Sequence, residues 1–221
     1  MEHLTLVIPA KNEKESLPNV LSELKKYNLK IIVVLEKEDL DTINSIKEYD
    51  CKILYQTNKG YGNALLEGIK NVKTNFFCIF NADGSFNPSE LQNMYDHAIK
   101  DNADFIFGSR YMNGALSEDD TIVTLIGNKI FTFIGKIFFS LPISDILYTF
   151  VLGNTKKANE LQLEEKNFSF CVELPILAKK SNHKLISVPS HERSRIAGKK
   201  KVNEFRDGFK ILVYMIRRFL I

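Results

Sequence analysis

Short apolar runs recur through the first half of the chain, each closed by polar residues. They are LTLVIP (4–9), KIIVVLE (30–36), KILYQT (52–57), FFCIFNA (76–82) and DFIFGSR (104–110). Their length and their content of Ile, Val and Phe predict buried strands. Between them lie SLPNVLSELKKY, LDTINSIKEY, GNALLEGIKNV and SELQNMYDHAIK, where apolar residues return every third or fourth position as on an amphipathic helix. Ser16 and Pro18 suit the start of the first helix, and Pro88-Ser89 the start of the fourth. Strands alternating with helices in this way predict an α/β fold with a mostly parallel sheet covered on both faces.

The pattern changes near residue 121. A long apolar helix over 121–140 is followed by ISDILYTFVLG, FSFCVELPILAKK, a strand in KLISVPS, a basic loop and a final helix, NEFRDGFKILVYMIRRFLI. No Pro/Gly/Ser-rich linker and no internal repeat divides the chain, so residues 1–221 read as one domain, with halves at 1–115 and 116–221. With 44% hydrophobic residues a sizeable core is available. The three cysteines are scattered with no CxxC spacing, which points to free thiols in a reducing compartment. The N-terminal MEHLTLVIPA lacks the pattern of a signal peptide. Lys129 and Lys136 interrupt the longest apolar stretch before it reaches the roughly 18 residues of a membrane span.

A net charge of +3 hides an asymmetry: residues 179–221 carry 12 Lys/Arg against 3 acids, leaving −6 on residues 1–178. Such a tail suits nucleic acid, anionic lipid or phosphate-bearing ligands, or is simply a solvated face. The ending FKILVYMIRRFLI, too short to span, reads as an interfacial helix on anionic lipid or as a helix packed on the domain, and the 121–140 helix invites the same two readings.

Ligands of open α/β sheets bind beyond the carboxyl ends of the strands. Polar groups collect there: Lys11-Asn12-Glu13, Glu36, Asn58-Lys59-Gly60, Asn81 to Ser85, and Ser109-Arg110. In NADGS, alternate side chains point the same way, so Asn81, Asp83 and Ser85 are candidates to converge on Mg²⁺ or Mn²⁺, with a phosphate-bearing ligand completing the shell. The same residues also read as a turn capped by Asp83. NKGYGNALLEGI (58–69) places glycines and Lys59 where a helix begins, a position that favours an anion, although it is neither a P-loop nor a dinucleotide fingerprint. HERSRIAGKKKV (191–202) sets two arginines and three lysines around Gly198, as a loop closing over phosphates would, or as a solvated loop would. No GxSxG occurs, and the four histidines lack metal-ligand spacing.

Taken in order, these segments resemble glycosyltransferase family 2, the inverting GT-A transferases, and within it the branch of dolichol-phosphate mannose synthase. The resemblance rests on VIPAKNE (7–13), NKGYGNALLEGI, NADGSFNP (81–88), GSRY (108–111), GNKIFTFIGKIFF (127–139) with ISDILYTF (143–150), FCVELPILAKK and ISVPSHERSRIAGKKK, which together cover nearly the whole chain. It implies a GT-A, Rossmann-like fold with a nucleotide-binding first half, an acceptor-side second half and a C-terminal helical and basic-loop elaboration. It also implies a nucleoside-diphosphate-sugar donor and a polyprenyl-phosphate or envelope-glycan acceptor.

By the same resemblance Pro9, Asn12 and Glu13 would lie at the nucleotide with Glu36 near the base, joined by Lys59, Gly60 and Ala82. Asn81, Asp83 and Ser85 would take the metal-binding DxD position. Arg110, Arg195 and Lys199 would handle phosphate groups, and Glu173 would serve as a base or acceptor-orienting acid. Three departures stand out: Leu35-Glu36-Lys37-Glu38 replaces the usual pair of acids, Asn81 replaces the first Asp of DxD, and Lys200 replaces a serine. GDP, UDP and CDP all remain open. A catalytically inactive sugar-nucleotide-binding module and a sugar nucleotidyltransferase are the alternatives, and a nucleic-acid role is not expected. The expected location is cytoplasmic, peripheral at the cytoplasmic face of the membrane.

Overall fold

The computed structural model describes residues 1–198 and 200–220. Each apolar run of the first half becomes a strand: β1 (Leu4–Pro9), β2 (Lys30–Leu35), β3 (Lys52–Tyr55), β4 (Phe76–Ile79) and β5 (Phe105–Ser109). The intervening periodic segments are α1 (Leu17–Leu24), α2 (Leu40–Ser45), α3 (Tyr61–Asn71) and α4 (Leu91–Lys100). The second half comprises β6 (Leu116–Ser117), α5 (Ile122–Phe139), β7 (Val151–Asn154), α6 (Thr155–Glu160), α7 (Phe170–Lys180), β8 (Leu185–Pro189), β9 (His191–Glu192) and α8 (Glu204–Leu220).

Seven strands form one sheet in the order β3-β2-β1-β4-β7-β5-β8, and β6 pairs with β9 in a separate two-stranded ribbon. The sheet is parallel except for β7, which runs antiparallel to β4 and β5. Residues 151–154 were not expected as a strand. One of their two interior residues is Gly153, which faces Phe77 on one neighbour and Phe105 on the other. A Cβ at Gly153 would lie 2.7 Å from both rings, so glycine lets two aromatic residues meet across the strand.

Side chains alternate between two cores, one on each face of the sheet. Leu6 and Ile8 of β1 pack with Leu17, Leu21, Phe80 and Phe150 on the face of α1 and α4. Val7 turns to the other face, with Leu65, Ile69, Phe77, Phe170 and Met215. Burying each such side chain contributes about 1.5–3 kcal/mol, which fixes strand register and therefore the placement of every loop at the carboxyl edge.

Candidate active site

β4 ends at Ile79, and the residues after it set the geometry of the carboxyl edge. Ala82 turns its methyl into the core, while Asp83 faces outward. Oδ1 of Asp83 accepts from the Ser85 backbone N–H at 3.0 Å and from its hydroxyl at 2.8 Å. The Asn81 amide donates to Ser85 Oγ at 3.2 Å. The turn reading of this motif holds: Asp83 closes a turn through Oδ1, and its Oδ2 faces Arg195. Ser85, at 1% exposure, orients Asp83 from beneath. The Ser85 hydroxyl, expected among the metal ligands, is bonded to Asp83 and Asn81.

The oxygen chemistry of Asp83 fits a hard divalent cation. Among the described residues, no group of three or more His, Cys, Asp or Glu side chains gathers to hold one unaided. A cation there would have to draw further ligands from the phosphates of a bound donor.

The basic segment after β9 lies across this edge. Its start runs beside residues 83–86, with Arg193 N–H on Ser85 O and Ile196 N–H on Asp83 O, both at 2.8 Å. The Arg193 guanidinium braces the junction, pairing with Glu23 at 2.9 and 3.0 Å and donating to the carbonyls of Gly84 and Phe86. Ile196 sits where a side chain on Gly84 would be: a Cβ there would meet Ile196 Cδ1 at 2.5 Å, and Gly84 has φ +84°.

Beyond this brace the cations settle on acids. Arg195 reaches Asp119 Oδ2 at 2.7 Å and Asp83 Oδ2 at 3.5 Å. Lys200 donates to the Asp119 carbonyl at 2.6 Å, and Lys201 pairs with Glu13. Burial alone would lower the Arg195 pKa, but the hydrogen bond to Asp119 and the charges of Asp83, Asp119 and Glu13 outweigh it and raise it. Asp119 was not foreseen. The only sequence signal for it is the acidic run Glu118-Asp119-Asp120. Lys199 lies outside the described residues.

Glu13 is nearly buried and accepts the Ser16 hydroxyl at 2.5 Å, which is why Ser16 does not cap α1. Next to it opens a cleft of about 470 Å³ lined by Asn12, Glu13, Asp39, Thr42, Ala197 and Gly198. Asn12 adopts φ 53°, and its N–H donates to Asp39 Oδ2 at 2.7 Å. The Glu13 N–H donates to Thr42 Oγ1 at 2.9 Å, so the cleft wall is fixed by the start of α2. Pro9, the last residue of β1, stands in register with Val34 of β2.

Glu36 forms a separate cluster with Lys11 at 2.7 Å and Lys59 at 3.2 Å. The Lys11 hydrogen bond leads in holding its carboxyl below the usual range, against the opposing effect of burial. Lys59 thus serves Glu36.

Three other expected residues sit elsewhere. The glycine loop before α3 is covered by the chain itself: Lys166 O accepts from Asn63 N–H at 3.1 Å. A Cβ on Gly60 would lie 2.3 Å from Lys166 O, and one on Gly62 2.2 Å from Glu165 O. These glycines admit backbone, not an anion, which corrects the expectation for Gly60.

Glu173 holds the same covering segment. It is 0% exposed and accepts from the Glu164 N–H at 3.0 and 3.1 Å and the Glu165 N–H at 2.9 Å. Burial pushes its carboxyl up despite those bonds. A side chain so enclosed touches no acceptor hydroxyl, so its place is corrected to that of a support.

Arg110 is also turned inward. Nε and Nη2 grip Asp145 at 2.8 and 3.0 Å, Nη1 meets Glu192 at 3.1 Å, and the guanidinium lies over the Tyr148 ring at 4.7 Å. Asp145, at 0% exposure, also accepts from the Asn128 amide. Arg110 ties the end of β5 to the segment between α5 and β7 and to β9 instead of pointing at phosphate.

The site that remains joins Asn81, Asp83 and Ser85 to Glu13, Asn12, Asp119 and the loop cations. Residues 5–162 match the profile of Glycosyl transferase family 2. UDP-N-acetylglucosamine–dolichyl-phosphate N-acetylglucosaminyltransferase of Methanococcus voltae is 26% identical over 83% of this chain and 83% of its own length. Dolichol-phosphate mannosyltransferase of Pyrococcus furiosus is 26% identical over 90% of this chain and 59% of its own.

The fold matches glucosyl-3-phosphoglycerate synthase from Mycobacterium tuberculosis in complex with phosphoglyceric acid. The TM-score is 0.81 at 11% identity, over 100% of this chain and 81% of that one. Another structure of that enzyme, in complex with Mn²⁺, uridine diphosphate and glucosyl-3-phosphoglycerate, matches at TM-score 0.77 and 13% identity, over 100% and 81%. The nucleotidyltransferase alternative falls away, and the chain belongs to glycosyltransferase family 2, as a glycosyltransferase with the GT-A fold.

Proposed function

We propose that this glycosyltransferase moves a hexose from a nucleoside diphosphate to the phosphate of a polyprenyl lipid, with inversion, while peripheral at the cytoplasmic face of a membrane. The observation that carries this reading is Arg195 spanning Asp83 and Asp119 at the carboxyl edge of the sheet. It supports the reading because a guanidinium fork suited to phosphate stands beside a carboxylate suited to a cation, the pairing that departure of a diphosphate calls for.

The cleft beside Glu13 receives the nucleoside. Asp83, held by Ser85, would hold Mg²⁺ or Mn²⁺ together with the donor phosphates. The cation, when bound, would supply charge neutralisation for the leaving diphosphate. Arg195, Lys200 and Lys201 turn from their acids to the phosphate oxygens. An oxygen of the acceptor phosphate attacks the anomeric carbon and forms the new C–O bond. The bond to the diphosphate breaks, and its electron pair leaves with the nucleotide. A phosphate acceptor is already ionised, so the step needs no proton transfer, which agrees with the burial of Glu173. The Methanococcus and Pyrococcus relatives, a dolichyl-phosphate N-acetylglucosaminyltransferase and a dolichol-phosphate mannosyltransferase, support a dolichyl-phosphate type of acceptor.

Asn81 in place of an acid favours one second reading, an inactive module that binds sugar nucleotides. The test is release of nucleoside diphosphate from UDP-, GDP- and CDP-sugars with a short-chain polyprenyl phosphate and Mn²⁺, alongside detection of the glycolipid. The reading requires coupled release and product, lost by on the order of 10²–10³ in Asp83→Ala at unchanged melting temperature. Nucleotide binding without product would establish the inactive module. Full activity in Asp83→Ala would overturn the assignment of the site.

A further inference from the structure

α5 and α8 lie side by side and run the same way. Thr121 Oγ1, at the start of α5, is 3.4 Å from Glu204 Oε1 at the start of α8. At the other end, Phe138 and Phe139 stack their edges against Phe219, with centroids 5.1 and 6.3 Å apart. Of α5, only Asn128, Thr132 and Gly135 are buried. Half a turn away, Ile126, Ile130, Phe133 and Ile137 stand in solvent, Phe133 at 63% exposure. On α8, Phe209 at 68% and Ile216 at 51% exposure continue the same stripe, opposite the buried Ile211 and Met215. A contiguous apolar face of this size on a water-soluble surface marks a docking site.

We propose that α5 and α8 form a single platform that docks in the plane of an anionic lipid bilayer. The rim identifies the occupant. Lys129 and Lys136 border the face on α5, and Arg206, Lys210 and Arg217 border it on α8, all exposed. The acids of these helices do not counter them at the surface: Glu204 sits at the helix start, and Asp207, at 3% exposure, touches Arg206 and Lys210 from the inside. An apolar stripe edged by cations suits acyl chains flanked by anionic headgroups. A second copy would press one cationic rim against another, which like-charge repulsion opposes.

α5 is long and apolar enough to cross a membrane, with 18 residues at mean hydropathy 1.6, but its packing holds it to the surface. Asn128 donates to the buried Asp145, and Thr132 Oγ1 accepts the Ile146 N–H at 3.2 Å. Crossing the bilayer would strip both contacts and place Lys129 and Lys136 in hydrocarbon.

The platform also deepens the proposed function, on which this one step rests. α5 starts three residues after Asp119 and α8 three after Lys201, so the head of the platform adjoins the acids and cations of the site. A lipid phosphate at the bilayer surface then faces Asp83 while its chain stays among the acyl tails.

The test is flotation of the purified chain with vesicles of phosphatidylcholine alone or mixed with phosphatidylglycerol, with no substrate present. Binding should be at least roughly tenfold stronger to the anionic vesicles and should weaken with salt. Phe133→Asp with Phe209→Asp should abolish it. Lys136→Glu with Arg217→Glu should remove the anionic preference. All four side chains are exposed, so circular dichroism, melting temperature and nucleotide binding should match the parent chain. The proposal is overturned if the chain ignores anionic vesicles, if the aspartate variants float equally well, or if sedimentation shows a dimer that those variants split. Since none of these readouts involves transfer, a failed platform and a failed transferase reading give different results.

Discussion

Arg195→Gln separates the two tasks that the proposed function gives to one guanidinium. In the structure Arg195 pairs with Asp83 Oδ2 at 3.5 Å, and the two side chains are 21% and 15% exposed. At an effective dielectric of about 20, two unit charges at that separation attract by roughly 4–5 kcal/mol. Desolvation and solvent screening of partly exposed groups cancel much of this, leaving about 1–2 kcal/mol. A divalent cation that needs the same oxygen must overcome that contact. Without the guanidinium, Mn²⁺ alone should bind about 5–30-fold more tightly. The nucleoside diphosphate should bind less tightly by a similar factor, because its phosphates lose a bidentate partner. Free Mn²⁺ can be followed by electron paramagnetic resonance and the nucleotide by titration calorimetry, with thermal melting as a check on folding. Opposite signs in the two affinities are the signature. Mn²⁺ affinity that is unchanged or weaker in the variant would refute the claim that Arg195 and the cation share Asp83.

Two further perturbations probe the support around the site. Asp145→Ala leaves Arg110 enclosed without its main partner and should cost about 3–5 kcal/mol, read as a drop of roughly 6–20 °C in melting temperature. Arg110→Met combined with Asp145→Leu should recover much of that loss, since neither buried charge remains. Glu173→Gln tests a pH dependence. The Glu173 carboxyl is raised in the folded state, so the fold gains stability as pH falls through that raised value and stops gaining below the unfolded value of about 4.3. The stability of the parent relative to Glu173→Gln should therefore rise on acidification across that window, and a difference that is flat with pH in chemical unfolding would contradict the assigned burial.

Much of the sheet was legible because parallel strands buried on both faces must be apolar throughout, as in KIIVVL and FFCI. Strand β7 escaped because its interior glycine only makes sense beside Phe77 and Phe105, which come from strands far away in sequence. The same limit applies at the site. Asp83, Glu13 and Arg195 announce themselves by position at strand ends or by clustering, and the fold brings them together. Asp119 is joined to Arg195 across a separation of 76 residues, which no local pattern encodes. Gly60 and Gly62 look like an anion cradle until residues 165–167 are seen lying on them, and Arg110 looks free until Asp145 is placed. In each case the chain's own backbone or carboxylate took the role that a ligand was expected to fill.

The replacement of an acid by Asn81 makes physical sense once charges are considered together. Glu13, Asp83 and Asp119 face Lys201, Arg195 and Lys200, so among the described residues the loop cations balance the acids of the site. After desolvation and screening, partly exposed pairs of this kind contribute only about 1–2 kcal/mol each, so the loop holds the acids without locking them. A cation arriving alone satisfies the acids but strands the loop cations. A diphosphate arriving alone satisfies the loop cations but strands the acids. Only the two together restore charge balance, so each should raise the affinity of the other by the same factor, as linkage requires. A further carboxylate at position 81 would upset that balance towards the cation, whereas an amide leaves the exchange even.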